Sequence, residues 1–447
     1  MTGAIDLGWT LADVAARLSG SLFGDGSVRI ASVGIDSRDV APNSLFVAIK
    51  GERFDGHEYA ADAYNALACA VVVEHGRGGD IATRIEVEDT LEALRELGIM
   101  RRDELGMPVI AITGSTGKTS TKDLLSAGIE GSWASPRSFN NEVGVPLTVL
   151  STPDDASALI VEVGSRGAGH INWLAPVVRP DVAVVTNLGV VHLETFGSVE
   201  GLADAKFELI EALGDGGVAV LPSNEHRLAR PITQRRITFG LPPADVEVET
   251  AGVAPDGSST YRIHALGDTY EGTLAMAGVH HAYNAAAAIG VAVALDIEVG
   301  PFVERMGRTQ GSDWRMDIHP GKFTVINDSY NANPQSVASA LETVGAMPGR
   351  SIAVLGPMAE LGPVCEREHT RMGKIALQLG FETLVVVGDD HGYRLGGGEI
   401  VVHATDIQDA HDTLTAILRP GDTVLIKASR SAGLERLAMA LVEESRR

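Results

Sequence analysis

The chain has 447 residues, with 36 Lys and Arg against 59 Asp and Glu, a formal charge of −23. That balance excludes a surface built to neutralise nucleic-acid phosphates, although a few well-placed cations still bind phosphate inside an acidic protein. Hydrophobic residues at 45% exclude a disordered chain, and two cysteines, Cys69 and Cys365, exclude a disulfide framework and fit a reducing compartment.

At roughly 100–200 residues per domain, the length predicts about three domains, placed at residues 1–106, 107–312 and 313–447. The start, Met1-Thr-Gly-Ala-Ile-Asp, lacks a basic stretch followed by an apolar core, so no signal peptide is expected. In the first segment Ser44–Lys50 reads as a buried strand, Glu58–Asn65 as helix and Ala66–Glu74 as a second strand. From Met107 onward, apolar runs at Val109–Ile112, Ala158–Val163, Val182–Thr186 and Val218–Leu221 alternate with helical segments. Such alternation predicts a mostly parallel sheet with helices on both faces. The polar stretch Pro242–Thr273 reads as a β-rich elaboration of the same domain. Ala285–Leu295 is the longest apolar run, well short of the roughly 20 residues a membrane helix needs, and reads as a buried helix. A second α/β series has strands expected at Phe323–Ile326, Ser351–Leu355, Thr383–Val387 and Thr423–Ile426. No membrane insertion and a cytoplasmic location are the expectation.

The sharpest motif is Gly114-Ser115-Thr116-Gly117-Lys118-Thr119-Ser120, placed between the apolar strand ending at Thr113 and a helical segment. Glycines let backbone N–H groups crowd around phosphate oxygens, and the helix N-terminus adds partial positive charge. Lys118 is expected to reach the β- and γ-phosphates and the Thr119 hydroxyl to meet Mg²⁺. The alternative is a Gly-rich turn with no ligand. A GTPase would carry an Asn-Lys-x-Asp motif after a later strand, and none is present. Glu162, at the end of one strand, and His192, shortly after another, are placed to hold Mg²⁺ on the phosphates, because ligands in open α/β sheets gather beyond the C-terminal strand edges. Taken singly, each reads equally well as an ordinary strand-end polar residue.

Several runs together resemble the Mur ligase family. They are Thr113–Thr119, Asn140-Asn141-Glu-Val-Gly144-Val-Pro146, Thr186–Ser198 followed by Ala203-Asp-Ala-Lys206-Phe-Glu208, and Gly278-Val-His280-His-Ala-Tyr-Asn284. Asn327-Asp328-Ser-Tyr-Asn-Ala-Asn-Pro334 and Val354–Gly362 are similar to the members that add a dipeptide, and Asp36-Ser37-Arg38 with Phe54-Asp55-Gly56-His57 fits the domain that holds the uridine nucleotide. The resemblance spans about residues 30–436. It implies three α/β domains: a small N-terminal one, a central phosphate-loop domain and a C-terminal Rossmann-like one. It also implies an ATP-dependent amide ligase that joins D-alanyl-D-alanine to UDP-N-acetylmuramoyl-tripeptide through an acyl phosphate, working as a monomer.

By that resemblance Lys118, Lys206, His192, Glu162 and Asn141 belong to the reacting centre. Thr119, Glu162, His192 and Lys206 surround the metal, with two Mg²⁺ implied. Lys206 matches the lysine that takes up CO₂ as a carbamate; without the flanking motif it reads as a solvated helix lysine. Gly114 to Ser120, Asn284, Arg315 and Asp328 are implied to contact ATP, Arg315 across a domain boundary, its alternative being a surface ion pair. His280 lies one helical turn before Asn284, on the same face or as a cap. Ser37, Arg38, Asp55, His57, Tyr330, Asn331 and Asn333 are implied to contact the other substrates. Lys427-Ala-Ser429-Arg430 matches a C-terminal run whose implied role is no more than a contact at the closed interface. Three positions depart from the family pattern: Asn327, Pro357 and His170 each stand where an acidic residue is usual. The last domain lacks the Asp-Asn-Pro-Arg run of the diaminopimelate-adding members. The other readings are a different amino-acid or folate-polyglutamylating ligase of the family, and a non-catalytic nucleotide-binding regulator or switch ATPase.

Overall fold

The computed structural model describes residues 6–51, 54–136, 138–189, 196–254, 257–309 and 311–446. Three sheets follow one another along the chain. The first holds β1 (Ser21–Phe23), β2 (Ser32–Gly34), β3 (Ser44–Val47), β4 (Ala68–Glu74) and β5 (Arg84–Val87) in the order β1-β5-β4-β3-β2. All its pairings are parallel except β1 with β5. The second strand begins two residues later than its apolar pattern suggests, because Ala66 closes the helix Ala60–Ala66. A 3₁₀ turn, Gly56–Tyr59, precedes that helix, so the expected helix Glu58–Asn65 begins as 3₁₀.

The second sheet has nine strands: β6 (Val109–Thr113), β7 (Trp133–Ala134), β8 (Leu159–Glu162), β9 (Val182–Val185), β10 (Val218–Pro222), β11 (Arg235–Gly240), β12 (Val246–Val253), β13 (Ser258–Ala265) and β14 (Asp268–Ala277). Their order is β14-β13-β12-β11-β10-β9-β6-β8-β7. From β7 to β12 every pairing is parallel, and β6, β8 and β9 are buried along their whole length, as strands covered by helices on both faces must be. The polar stretch after Pro242 forms the antiparallel meander β12–β14. The Ala-rich run lies in the helix His280–Ala294, buried against this sheet. No described helix is long and apolar enough to cross a membrane.

The third sheet runs β15-β16-β20-β17-β18-β19, with β15 (Asp317–His319), β16 (Thr324–Asn327), β17 (Ser351–Leu355), β18 (Thr383–Val387), β19 (Val401–Ala404) and β20 (Thr423–Lys427). Only β15 is antiparallel.

The first two units share a polar seam. On the helix Thr90–Glu104, Arg95 Nε donates to the Trp173 carbonyl at 2.8 Å, Arg102 Nε to the Val178 carbonyl at 2.9 Å, and the buried Arg101 to the Thr152 carbonyl at 2.6 Å. Gly98 makes the close approach possible, since a Cβ there would lie 3.0 Å from Val177 Cγ1 and 3.1 Å from Pro146 Cβ. The second and third units meet through apolar contact: Ala277 at the end of β14 belongs to the core of the last unit, and Val253 packs against it.

Candidate active site

Beyond the C-terminal edge of β6 the chain turns through Gly114–Gly117 into the helix Lys118–Gly128. Two glycines are required by geometry. Gly114 has φ +142° and a Cβ there would sit 2.0 Å from Thr186 Oγ1. Gly117 has φ +81° and a Cβ would sit 2.5 Å from Asn284 Oδ1. The loop is braced by the segment after β9. Thr186 Oγ1 donates to the Thr116 carbonyl at 2.6 Å, Asn187 Oδ1 accepts from Thr116 N at 3.0 Å, and Asn187 Nδ2 donates to Thr116 Oγ1 at 2.6 Å. Ser115 Oγ accepts from Gly189 N at 2.8 Å. Lys118 Nζ folds back onto the Gly114 carbonyl at 2.6 Å, and its burial pushes its pKa below that of an ordinary lysine, against the pull of Glu162.

Thr119 Oγ1 donates to Glu162 Oε2 at 2.9 Å, both side chains buried, while Asn140 Nδ2 donates to Glu162 Oε1 at 3.3 Å. Asn141 instead caps a turn, its Oδ1 accepting from Gly144 N at 2.8 Å. His192 lies outside the described residues. Lys206, on the helix Val199–Glu211, is 3% exposed, which overturns the reading of a solvated helix lysine. Burial pushes its pKa well down, nearby Lys118 pushes the same way, and Glu208 opposes them weakly. Glu208 is occupied elsewhere, accepting the Gly169 and Asn172 amides at the start of the helix His170–Val178.

The last unit supplies the opposite wall. Arg315 lies over the Tyr330 ring at 4.1 Å and donates to Ser138 Oγ at 3.0 Å, bridging the third unit to the second rather than making a surface ion pair. Asp328 accepts from Lys427 Nζ at 2.5 Å and from the Met316 amide at 3.2 Å; burial raises its pKa, with Lys427 pulling it back. Lys427 also donates to the Asn331 carbonyl at 2.8 Å, which gives the C-terminal Lys-Ala-Ser-Arg run a structural role. Asn333 is the N-cap of the helix Pro334–Gly345, paired reciprocally with Ser336. His280 does not pair with Asn284. Its Nδ1 meets Ser339 Oγ at 3.0 Å, and Asn284 Nδ2 lies 3.4 Å from His281 Nδ1 instead. Burial lowers both histidines, His280 to about 4.

These walls enclose one cavity of about 750 Å³, onto which Lys118, Glu162, Lys206, Asn284, Arg315 and Asp328 all open. Tyr330, Asn331 and Asn333 line it too. Ser37, Arg38, Asp55 and His57 do not. His57 is buried with both ring nitrogens engaged, Nδ1 with Asp55 at 2.7 Å and Nε2 accepting from the Glu74 amide at 3.0 Å, so it braces its own loop. Asp55 also takes Arg77 at 2.8 Å, and that guanidinium holds its carboxyl well below the usual range. Arg38 is exposed and pairs with Asp36, lowering that carboxyl to about 2. Asn140, Asn187, Gly189 and Lys427 lay in the quoted runs without a specific role, and Ser138 lay in none of them. Asn187 carried a signal, since it follows a buried strand beside the loop; Ser138 carried none.

The sequence matches the Mur ligase family catalytic domain over residues 29–102, the Mur ligase middle domain over 112–292 and the Mur ligase glutamate ligase domain over 314–430. It is 35% identical to the UDP-N-acetylmuramoyl-tripeptide–D-alanyl-D-alanine ligase of Mycobacterium tuberculosis H37Rv, the alignment covering 92% of each chain. It is 30% identical to the protein of the same name from Escherichia coli K12, over 97% of this chain and 98% of that one. Among solved structures, MurF from Acinetobacter baumannii superposes with a TM-score of 0.89 at 27% identity, covering 97% of this chain and 99% of the other. MurF ligase from Thermotoga maritima in complex with ADP gives 0.83 at 25% identity, covering 92% and 97%. The three matched domains and these full-length relatives make the chain an ATP-dependent ligase. The chain belongs to the Mur ligase family.

Proposed function

We propose that this ligase joins the terminal carboxylate of UDP-N-acetylmuramoyl-tripeptide to the amine of D-alanyl-D-alanine, in the cytoplasm and as a monomer. The observation that carries the reading is the cavity in which the phosphate loop, the half-buried Lys118 and the buried Lys206 face the Tyr330–Asn333 wall. A carboxylate is a poor electrophile in water. Its oxygen attacks the γ-phosphorus of ATP, ADP leaves, and the acyl phosphate so formed carries a good leaving group. The free amine then attacks the carbonyl carbon and the C–O bond to phosphate breaks, leaving an amide. Positioning and charge neutralisation supply the catalysis.

Lys118, released from the Gly114 carbonyl, meets the β- and γ-phosphates, and Arg315 adds a second cation from across the domain boundary. Asn284 and Asp328 contact the nucleotide. Thr119 and Glu162 offer a hydroxyl and a carboxylate 2.9 Å apart, hard oxygen donors suited to Mg²⁺. Bound there, Mg²⁺ screens the phosphate charge.

Lys206 is suited to carbamylation. Its neutral amine, favoured by burial beside Lys118, would add CO₂ and lose a proton, leaving a carbamate anion where a second ammonium would otherwise stand. The dipeptide enters from the third unit along Tyr330, Asn331 and Asn333, and the uridine nucleotide is held by the first unit near Ser37, Arg38 and Asp55. The test is phosphate release with ATP, Mg²⁺, the UDP-linked tripeptide and the dipeptide, omitting each in turn. Release that needs all four, with a pentapeptide product by mass, is expected. Release with ATP and Mg²⁺ alone would make the chain a switch ATPase.

A further inference from the structure

The loop Gly356–Leu361 leaves the C-terminal end of β17 and turns across the mouth of the cavity, where Ala359, Glu360 and Leu361 line it. It has no regular structure, and Glu360 sits at φ +60°, a conformation a non-glycine residue keeps only when its surroundings impose it. The surroundings do so through groups from three other elements. Tyr393, fully buried on the helix His391–Gly397, donates its hydroxyl to the Gly356 carbonyl at 2.8 Å. Past the end of β20, Ser429 N donates to the Pro357 carbonyl at 3.1 Å and Ser429 Oγ accepts from Ala359 N at 2.9 Å. Between those two Ser429 contacts, His369, on the helix Cys365–Gln378, accepts from Met358 N through Nε2 at 3.1 Å.

That contact fixes the imidazole. Because Nε2 accepts, the ring proton sits on Nδ1, which faces the Cys365 carbonyl at 2.7 Å. The ring edge packs on Tyr393, with centroids 4.8 Å apart at 85°, and Gly392 is needed beneath it, since a Cβ there would lie 2.8 Å from His369 Cβ. The imidazole is buried, off the cavity lining, and touches no residue of the phosphate loop.

We infer that His369 is a positioning residue for the incoming amine: through Met358 it holds the Gly356–Leu361 wall in the shape that receives the dipeptide. The wall comes from the same sheet as Tyr330, Asn331 and Asn333, and the phosphate loop from the other. The inference rests on the proposed reading only for the identity of the amine. His369→Leu removes the acceptor and leaves the Met358 amide unpaired, whereas His369→Gln keeps an acceptor at the reach of Nε2.

Two readouts test it. Amide hydrogen exchange across residues 356–361, with no substrate present, is expected to quicken at least tenfold in His369→Leu and to stay near wild type in His369→Gln, with residues 114–120 unchanged in both. In steady-state assays the KM for the dipeptide is expected to rise about tenfold or more in His369→Leu while the KM for ATP stays within about twofold, and His369→Gln should recover most of the loss. Unchanged exchange in a folded His369→Leu, or equal rises in both KM values, would overturn the inference. A wild-type enzyme that rejects the dipeptide would overturn the substrate reading instead, and the exchange data would still decide the role of His369.

Discussion

Two lysines and a histidine carry most of the chemistry that can be argued residue by residue. The half-buried Lys118 and the buried Lys206 share one cleft; burial lowers the pKa of both, and the charge of Lys118 lowers that of Lys206 further. Lys206→Ala is expected to lower kcat by roughly 100-fold or more, the scale of removing a preorganised electrostatic group. Partial rescue by short carboxylates, and none by chloride, would mark a lost carbamate; full activity in the variant would remove Lys206 from the mechanism. His280 supports a pH prediction. Its pKa is about 4 in the folded chain against an ordinary 6.5, so between those values the unfolded chain binds a proton that the folded one refuses. Stability therefore falls as pH drops from about 6.5 towards 4, by on the order of 3 kcal/mol at the full shift. Thermal melts should give a steeper decline over that window for wild type than for His280→Gln, and parallel curves would contradict the assignment.

At the scale of elements, the phosphate loop is held open by its neighbour as much as by its own glycines. Asn187 makes two of the bonds that shape Thr116, at 3.0 and 2.6 Å, each worth about 1 kcal/mol net. Asn187→Ala is expected to weaken ADP binding by about tenfold in calorimetry and to lower the melting temperature by a few degrees, and unaltered affinity would deny the brace a part in binding. The long buried strands were legible because unbroken apolar runs flanked by glycine leave few alternatives: β17 and β18 fall on their predicted residues, and β6, β8, β9, β10, β16 and β20 within one or two at each end. β1, β2, β7 and β19 were not. They are two to four residues long and lie at or next to sheet edges, and for such strands pairing geometry decides what periodicity cannot. β11, parallel between β10 and β12, was missed for another reason: its Arg235-Arg-Ile-Thr start hides a half-buried strand behind charge.

At the scale of the whole molecule, the proposed reacting cleft lies between two units, and its far wall was the least legible part. Asn331, Asn333 and Asp328 were found by motif, but much of their side-chain capacity is spent internally, on the Ala332 amide, a helix cap and Lys427. Contacts across 100 residues, such as Lys427 with Asp328, leave no local pattern to read. Arg315 and Ser138 have the same origin, since their 3.0 Å bond exists only once the third unit docks on the second. The central claim is that this cleft activates a carboxylate by phosphoryl transfer before an amine takes its place. Its most direct test uses UDP-N-acetylmuramoyl-tripeptide with ¹⁸O in the terminal carboxylate. The mechanism predicts one labelled oxygen in each phosphate released, in step with amide formation. Unlabelled phosphate alongside a correctly formed amide would contradict it.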